Sequence, residues 1–156
     1  MGIKVTKREQ TIIGWREYID LPEWGIKRLK AKIDTGAKSC SLHGDQIKIL
    51  SEDKISFRVV LGKGKLSKRI VASIVKKGKV KSSVGQRTHR WYVQTILKIG
   101  DIKREVRINL SDRGEMNFRM LIGRTALDED FIVDVAHGYL LGKKIIVKKE
   151  SKKGRK

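Results

Sequence analysis

Asp34-Thr35-Gly36 follows an alternating apolar run, residues 26–33, and this pairing of strand and tripeptide suits acid–base chemistry. The strand fixes the carboxylate, Gly36 lets the backbone turn sharply, and the Thr35 hydroxyl is expected to tie the turn. A carboxylate presented in this way acts as a general base on water when a second carboxylate shares its proton. The chain holds one such tripeptide. A homodimer supplies the second copy, with the two Asp34 side chains facing each other across a two-fold axis. In the alternative arrangement a monomer uses Asp34 with another group, either His43 or an Arg that stabilises the oxyanion. The same tripeptide also serves ordinary chains as a strand-to-turn Asp that holds only its own backbone.

A second block, Met120-Leu121-Ile122-Gly123-Arg124, runs from an apolar strand through Gly into a short helical stretch, Thr125-Ala126-Leu127. Its apolar pair is expected to pack beside the Asp34 loop, with Gly123 admitting the close approach. Cations gather near both blocks. Lys38 and His43 follow the Asp motif, Arg113, Arg119 and Arg124 bracket the second, and Arg90 opens a later strand. These are the candidate substrate-binding residues, because a guanidinium fork holds a carboxylate bidentately. Arg119 and Arg124 serve equally well as structural partners of Asp34, Asp112 or Asp134. Residues 75–86, basic and Gly-containing, read either as a flap over the site or as a plain exposed hairpin.

Other chemistries find little support. Cys40 and His43 are close, but His89 and His137 are scattered, so no metal-ligand spacing emerges and no metal is expected. Nothing in the sequence orients His43 toward Cys40 as a thiol nucleophile needs, and a small buried Cys is the commoner role. No nucleotide-binding glycine pattern is present, and no cofactor is expected. Two short motifs are weak. Met1-Gly2 with Thr6 fits a myristoylation pattern, and Asn109-Leu110-Ser111 fits a glycosylation sequon inside an expected strand.

The elements that must position these residues are mostly strands. Alternation marks 12–21, 26–33, 55–61, 70–76, 91–99 and 102–110. Gly62-Lys63-Gly64, Lys77-Gly78-Lys79 and Gly100-Asp101 read as the turns between them. Only 124–130 has a helical pattern, and Pro22 sits between two early strands. The architecture is therefore all-β, an antiparallel barrel or sandwich with one short helix after Ile122-Gly123-Arg124. At 156 residues the chain has the length of one domain, read as 1–145, followed by a basic tail, 146–156, expected to be mobile.

The composition points to a polyanionic partner. Lys and Arg total 37 against 17 Asp and Glu, a net charge of +20. The charge is uneven: no carboxylate lies between Asp53 and Asp101, where 13 Lys and Arg occur. A single Cys argues against a disulfide framework and for a reducing compartment. No apolar run approaches a membrane span or a signal peptide, so the chain reads as soluble and cytoplasmic, with no membrane partner.

Several blocks together resemble a known family. Ile13-Gly14-Trp15-Arg16-Glu17, Leu21-Pro22-Glu23, Ile33-Asp34-Thr35-Gly36-Ala37 with Ser41-Leu42-His43, and Asn117 through Leu127 are similar to the bacterial and archaeal "ATP-dependent zinc protease" family. Its members are retropepsin-like proteins associated with the ribosomal modification glutamate ligase. The resemblance covers residues 12–143. It implies a retropepsin-like closed barrel and an aspartic-type endopeptidase, with Asp34, Thr35 and Gly36 as the catalytic loop. The implied substrate is an acidic peptide, the oligoglutamate tail that the ligase adds to a ribosomal protein. The family's name implies zinc and ATP, but the sequence supports neither. Members often carry Asn-Arg-Asp-Asp-Met where this chain has Ser111-Asp112-Arg113-Gly114-Glu115-Met116, and Asp-Pro where it has Asp134-Val135.

Two other functions compete with the peptidase. One is a non-catalytic basic barrel that binds RNA or the ribosome, although aromatics are 6% of the chain and Trp91-Tyr92 is the one adjacent pair available for stacking. The other is a regulator that binds the glutamate ligase without turnover.

Overall fold

The alternating runs do form strands, and six of them close on themselves. A computed structural model describes residues 9–61, 66–81, 87–111 and 117–142, with 76–81 and 87–89 described at the backbone. The order is β1 (Thr11–Gly14), β2 (Arg16–Leu21), a 3-10 turn (Pro22–Trp24), β3 (Ile26–Ile33), β4 (Cys40–His43), β5 (Asp45–Ser51) and β6 (Lys54–Val60). It continues with β7 (Ser67–Lys81), β8 (Arg87–Ile99), β9 (Ile102–Ser111), β10 (Met120–Ile122), α1 (Arg124–Leu127), a 3-10 turn (Asp128–Asp130) and β11 (Phe131–Asp134). The barrel runs β2-β3-β10-β4-β9-β8 and is closed where β2 meets β8 at Asp20 and Lys98. Strands β7, β6 and β5 carry the same sheet beyond the barrel wall. Closure removes most of the edge that an open sheet leaves unpaired.

The barrel is mixed rather than antiparallel throughout, because β3 pairs β10 in parallel and β4 pairs β9 in parallel. Inward residues fill it by strand alternation: Ile19 and Leu21 from β2, Leu97 and Ile99 from β8, Ile108 from β9, and Met120 and Ile122 from β10 are all essentially inaccessible. Trp24 and Phe57 meet edge to face at 5.4 Å and anchor the 3-10 turn to β6.

Three sequence expectations change. The run 12–21 breaks at Trp15, because β1 pairs in parallel with β11 whereas β2 pairs with β3. At the break, the C-terminal segment crosses: Trp15 N–H donates to the His137 carbonyl at 2.9 Å, and Tyr139 N–H donates to the Arg16 carbonyl at 2.8 Å. A Cβ on Gly14 would overlap the His137 carbonyl, so only glycine admits this crossing. Lys77-Gly78-Lys79 is not a turn; it lies within β7, with Gly78 opposite Arg90 on β8. A continuous ladder on its neighbour overrides the local turn composition. The helical run 124–130 divides into α1 and a 3-10 turn. Gly100-Asp101 does join β8 to β9 as a two-residue hairpin with Ile99 opposite Ile102. The expected turn at 62–64, the tip of the 75–86 segment, Arg113 and the tail 146–156 lie outside the described residues.

Candidate active site

Asp34 leaves the end of β3 and is held by the neighbouring strand before it turns. Its N–H donates to the Ile122 carbonyl at 2.8 Å, continuing the parallel β3–β10 ladder by one bond. The chain then turns on its own side chain: Gly36 N–H donates to Asp34 Oδ1 at 3.1 Å, and Ala37 N–H to the Asp34 carbonyl at 3.1 Å. This Asx turn fixes one carboxylate oxygen. Asp34 is partly buried, whereas Thr35 and Gly36 are exposed.

The second block locks the loop from below. Arg124 N–H donates to the Ala37 carbonyl at 2.8 Å, and Thr125 reaches the Lys38 carbonyl with its N–H at 3.0 Å and its hydroxyl at 2.8 Å. Arg124 Nη1 donates to the Thr35 carbonyl at 3.1 Å. A Cβ on Gly123 would overlap the Ser39 backbone, so glycine is required for the approach. The apolar pair packs as expected, with Ile122 fully buried and Leu121 partly so. The tie expected from the Thr35 hydroxyl is instead made by Thr125; among the described residues Thr35 Oγ1 forms no hydrogen bond.

Beside the loop lies a cavity of about 280 Å³, lined by Lys38, Ser41, Arg90, Tyr92, Asn109 and Ser111 among others. It adjoins a second of about 380 Å³ that shares Lys38, Ser39 and Tyr92 and extends to Glu105, Arg107 and Thr125. Lys38 and Arg90, far apart in sequence, are therefore brought to one wall. The floor is polar: the Ser41 and Ser111 hydroxyls share a 2.9 Å hydrogen bond, and Asn109 Nδ2 donates to the Cys40 carbonyl at 2.9 Å. Asn109 is 7% exposed, and among the described residues its Oδ1 has no hydrogen-bond partner. Burial on β9 also removes Asn109 as a glycosylation acceptor. Ser41, Asn109 and Ser111 escape sequence reasoning because they meet only through the parallel β4–β9 register, Ser41 opposite Asn109 and His43 opposite Ser111.

The other described candidate cations, His43, Arg119 and Arg124, do not line these cavities. His43 is 4% exposed, with Nε2 3.8 Å from Asp45 Oδ2, and its N–H donates to the Arg119 carbonyl at 2.7 Å. Arg124 holds the loop backbone, and Asp134 engages His137 at 2.8 Å rather than an Arg. The Arg58 guanidinium grips Asp45 through two hydrogen bonds and holds its carboxyl below the usual value, with a further contribution from His43. Burial pushes the Cys40 thiol up to about 11, partly offset by the Gly123 backbone N–H. Such a thiol is a poor nucleophile at neutral pH. Cys40 and His43 close opposite ends of β4, His137 lies on the C-terminal segment, and no metal-binding group of three or more His, Cys, Asp or Glu occurs among the described residues.

Residues 12–144 match the family described as retropepsin-like aspartic endopeptidase RimB. Among curated proteins, a "Probable alpha-L-glutamate ligase" of Desulfotalea psychrophila is 33% identical over 157 residues, 92% of this chain and 33% of the ligase. One of the same description from Shewanella pealeana is 30% identical over 138 residues, 85% of this chain and 30% of the ligase. This chain thus spans about a third of the length of these relatives. A crystal structure of protein Lpg0085 from Legionella pneumophila, of unknown function, superposes with a TM-score of 0.70 at 31% identity, covering 84% of this chain and 98% of that one. Both the Asp34 loop and the Gly123-Arg124 block fall inside the matched span, and the chain belongs to the RimB-like family of retropepsin-like aspartic endopeptidases.

Proposed function

We propose that this protein is an aspartic-type peptidase that hydrolyses acidic peptide, with Asp34 as the reacting carboxylate and a second copy supplying its partner. The observation that carries the reading is the interlock of 34–38 with Gly123, Arg124 and Thr125, which holds a partly buried carboxylate rigidly beside a cation-lined cavity. In the paired site one Asp34 is ionised and the other protonated. The ionised one takes a proton from water as the water oxygen bonds to the scissile carbonyl carbon. The protonated one gives its proton to the carbonyl oxygen. The diol collapses as the now-protonated carboxyl gives its proton to the amide nitrogen, the C–N bond breaks, and the other, now ionised, carboxylate takes a proton from a diol hydroxyl, which restores the dyad.

Lys38 and Arg90 support an acidic substrate. Both line the cavity, and among the described residues neither is paired with a carboxylate. The relatives support α-linked glutamate in particular, since a unit like this one occurs within chains named as α-L-glutamate ligases. A peptidase beside such a ligase suits trimming of the ligase's product, including a tail on a ribosomal protein.

The test is hydrolysis of an oligoglutamate peptide, with oligoglutamine of the same length as the neutral comparison, in the presence of chelator. Cleavage of the glutamate peptide alone is expected. Lys38→Ala and Arg90→Ala should each raise KM with a smaller effect on kcat, by roughly tenfold for loss of a charge-assisted contact. Binding of oligoglutamate without turnover would instead favour a non-catalytic regulator of the ligase.

A further inference from the structure

We propose that the outer face of β2 and β3 is a binding surface for single-stranded RNA, separate from the cavity beside Asp34. Seven side chains interleave there. Arg28 lies over the Tyr18 ring at 4.3 Å, and Tyr18 stacks on Tyr139 at 4.6 Å. Arg16 lies 4.7 Å from both the Tyr139 and Trp15 rings. Trp15 meets Phe118 edge to face at 5.9 Å, and Lys30 Nζ is 5.3 Å from the Phe118 ring. The residues come from the β1–β2 break, β2, β3 and two distant segments, which is why no adjacent aromatic pair announces them in the sequence.

Register explains the convergence. Arg16 stands opposite Lys32 and Tyr18 opposite Lys30, so alternation sends all four to the outer face while Glu17, Ile19, Ala31 and Ile33 point inward. Among the described residues, Arg28 and Tyr139 are two of the four non-glycine residues with positive φ, at 57° and 56°. Arg28 N–H is caught by Asp20 Oδ1 at 2.9 Å, which fixes the bend that lays its side chain over Tyr18.

The charge on this face is unbalanced. Among the described residues no carboxylate pairs with Arg16, Arg28, Lys30 or Lys32; the Arg ion pairs are at Arg58–Asp45 and Arg104–Asp130. Among the described residues, Arg16 Nε is also buried without a hydrogen-bond partner. The Arg28 guanidinium, exposed and held over the Tyr18 ring, is pre-organised to fork onto a phosphate. The outer plane of Arg28, which is exposed, is open to a base. An acidic peptide would use the charges but has no use for the planar surfaces, so RNA fits better.

The test is fluorescence anisotropy of the full chain with a labelled single-stranded RNA of about a dozen nucleotides, across a salt series. Wild type is expected to bind, and Arg28→Ala with Lys30→Ala to weaken binding at least tenfold and to reduce the salt slope by roughly 1.4. Lys48→Ala with Lys54→Ala, the same charge change on exposed positions of β5 and β6, should weaken it less than about threefold. Arg28→Lys, which keeps charge and guards against misfolding, should still weaken binding by about threefold because the planar fork is gone. Asp34→Asn should bind as wild type does, whatever becomes of the peptidase reading. No binding by wild type, an equal loss in the β5–β6 control, or displacement of RNA by oligoglutamate at equal charge concentration would overturn the proposal.

Discussion

Gly123 shows how one missing atom positions a carboxylate. Any Cβ there meets the Ser39 backbone, so Gly123→Ala must push apart the two loops that hold Asp34. A loss of about 2 kcal/mol is expected from overpacking against backbone, together with loss of turnover, measurable by urea unfolding and peptide hydrolysis. Cys40, beneath the same loop, gives a second check. With the thiol 1% exposed and its pKa near 11, alkylation at mild alkaline pH should proceed only as fast as unfolding. Rapid labelling of the native protein would contradict the buried placement of β4. The turn at Asp34 and Gly36 and the close approach at Gly123 were legible because they rest on local backbone geometry, whereas the hydroxyl tie expected of Thr35 is made by Thr125. Asn109, Ser41 and Ser111 were not, because a polar floor made across a parallel ladder leaves no spacing in the sequence.

Among the elements, the β1–β2 break depends on a buried carboxylate. Glu17 is 0% exposed and accepts N–H bonds from Gly14 at 2.7 Å, Leu140 at 2.9 Å and Leu141 at 3.1 Å, tying the C-terminal segment across the barrel. Glu17→Ala strands these three donors and should cost about 3 kcal/mol or more in chemical denaturation. Retention of wild-type stability would show that the segment is held otherwise. The clasp between β5 and β6 has a pH signature. Arg58 lowers the Asp45 carboxyl in the folded state, so the unfolded chain binds that proton first as pH falls. The contribution is therefore present above the ordinary Asp value of about 3.9 and lost as pH drops through the lower folded value. The stability gap between wild type and Asp45→Asn should be constant near neutrality and close in acid. Strong alternation made β3, β8 and β9 legible. β4, buried at every position, and β5, exposed at nearly every one, carry no period-two signal, and long-range pairing alone defines them.

At the scale of the molecule, the +20 charge divides into regions with different surroundings. Lys38 and Arg90 border the cavity beside Asp34, whereas Arg16, Arg28, Lys30 and Lys32 face outward from the other side of β3 among aromatic rings. Composition indicated a polyanion without separating these surfaces; the cavity lining and the β2–β3 register distinguish them. Both surfaces converge on β3, whose last inward residue, Ile33, immediately precedes Asp34. The most direct measurement is turnover of an oligoglutamate peptide by wild type and by Asp34→Asn, with folding of each confirmed by its unfolding curve. Wild type should cleave in chelator and folded Asp34→Asn should show no cleavage above background. Equal cleavage by the two proteins would contradict an aspartic mechanism at Asp34.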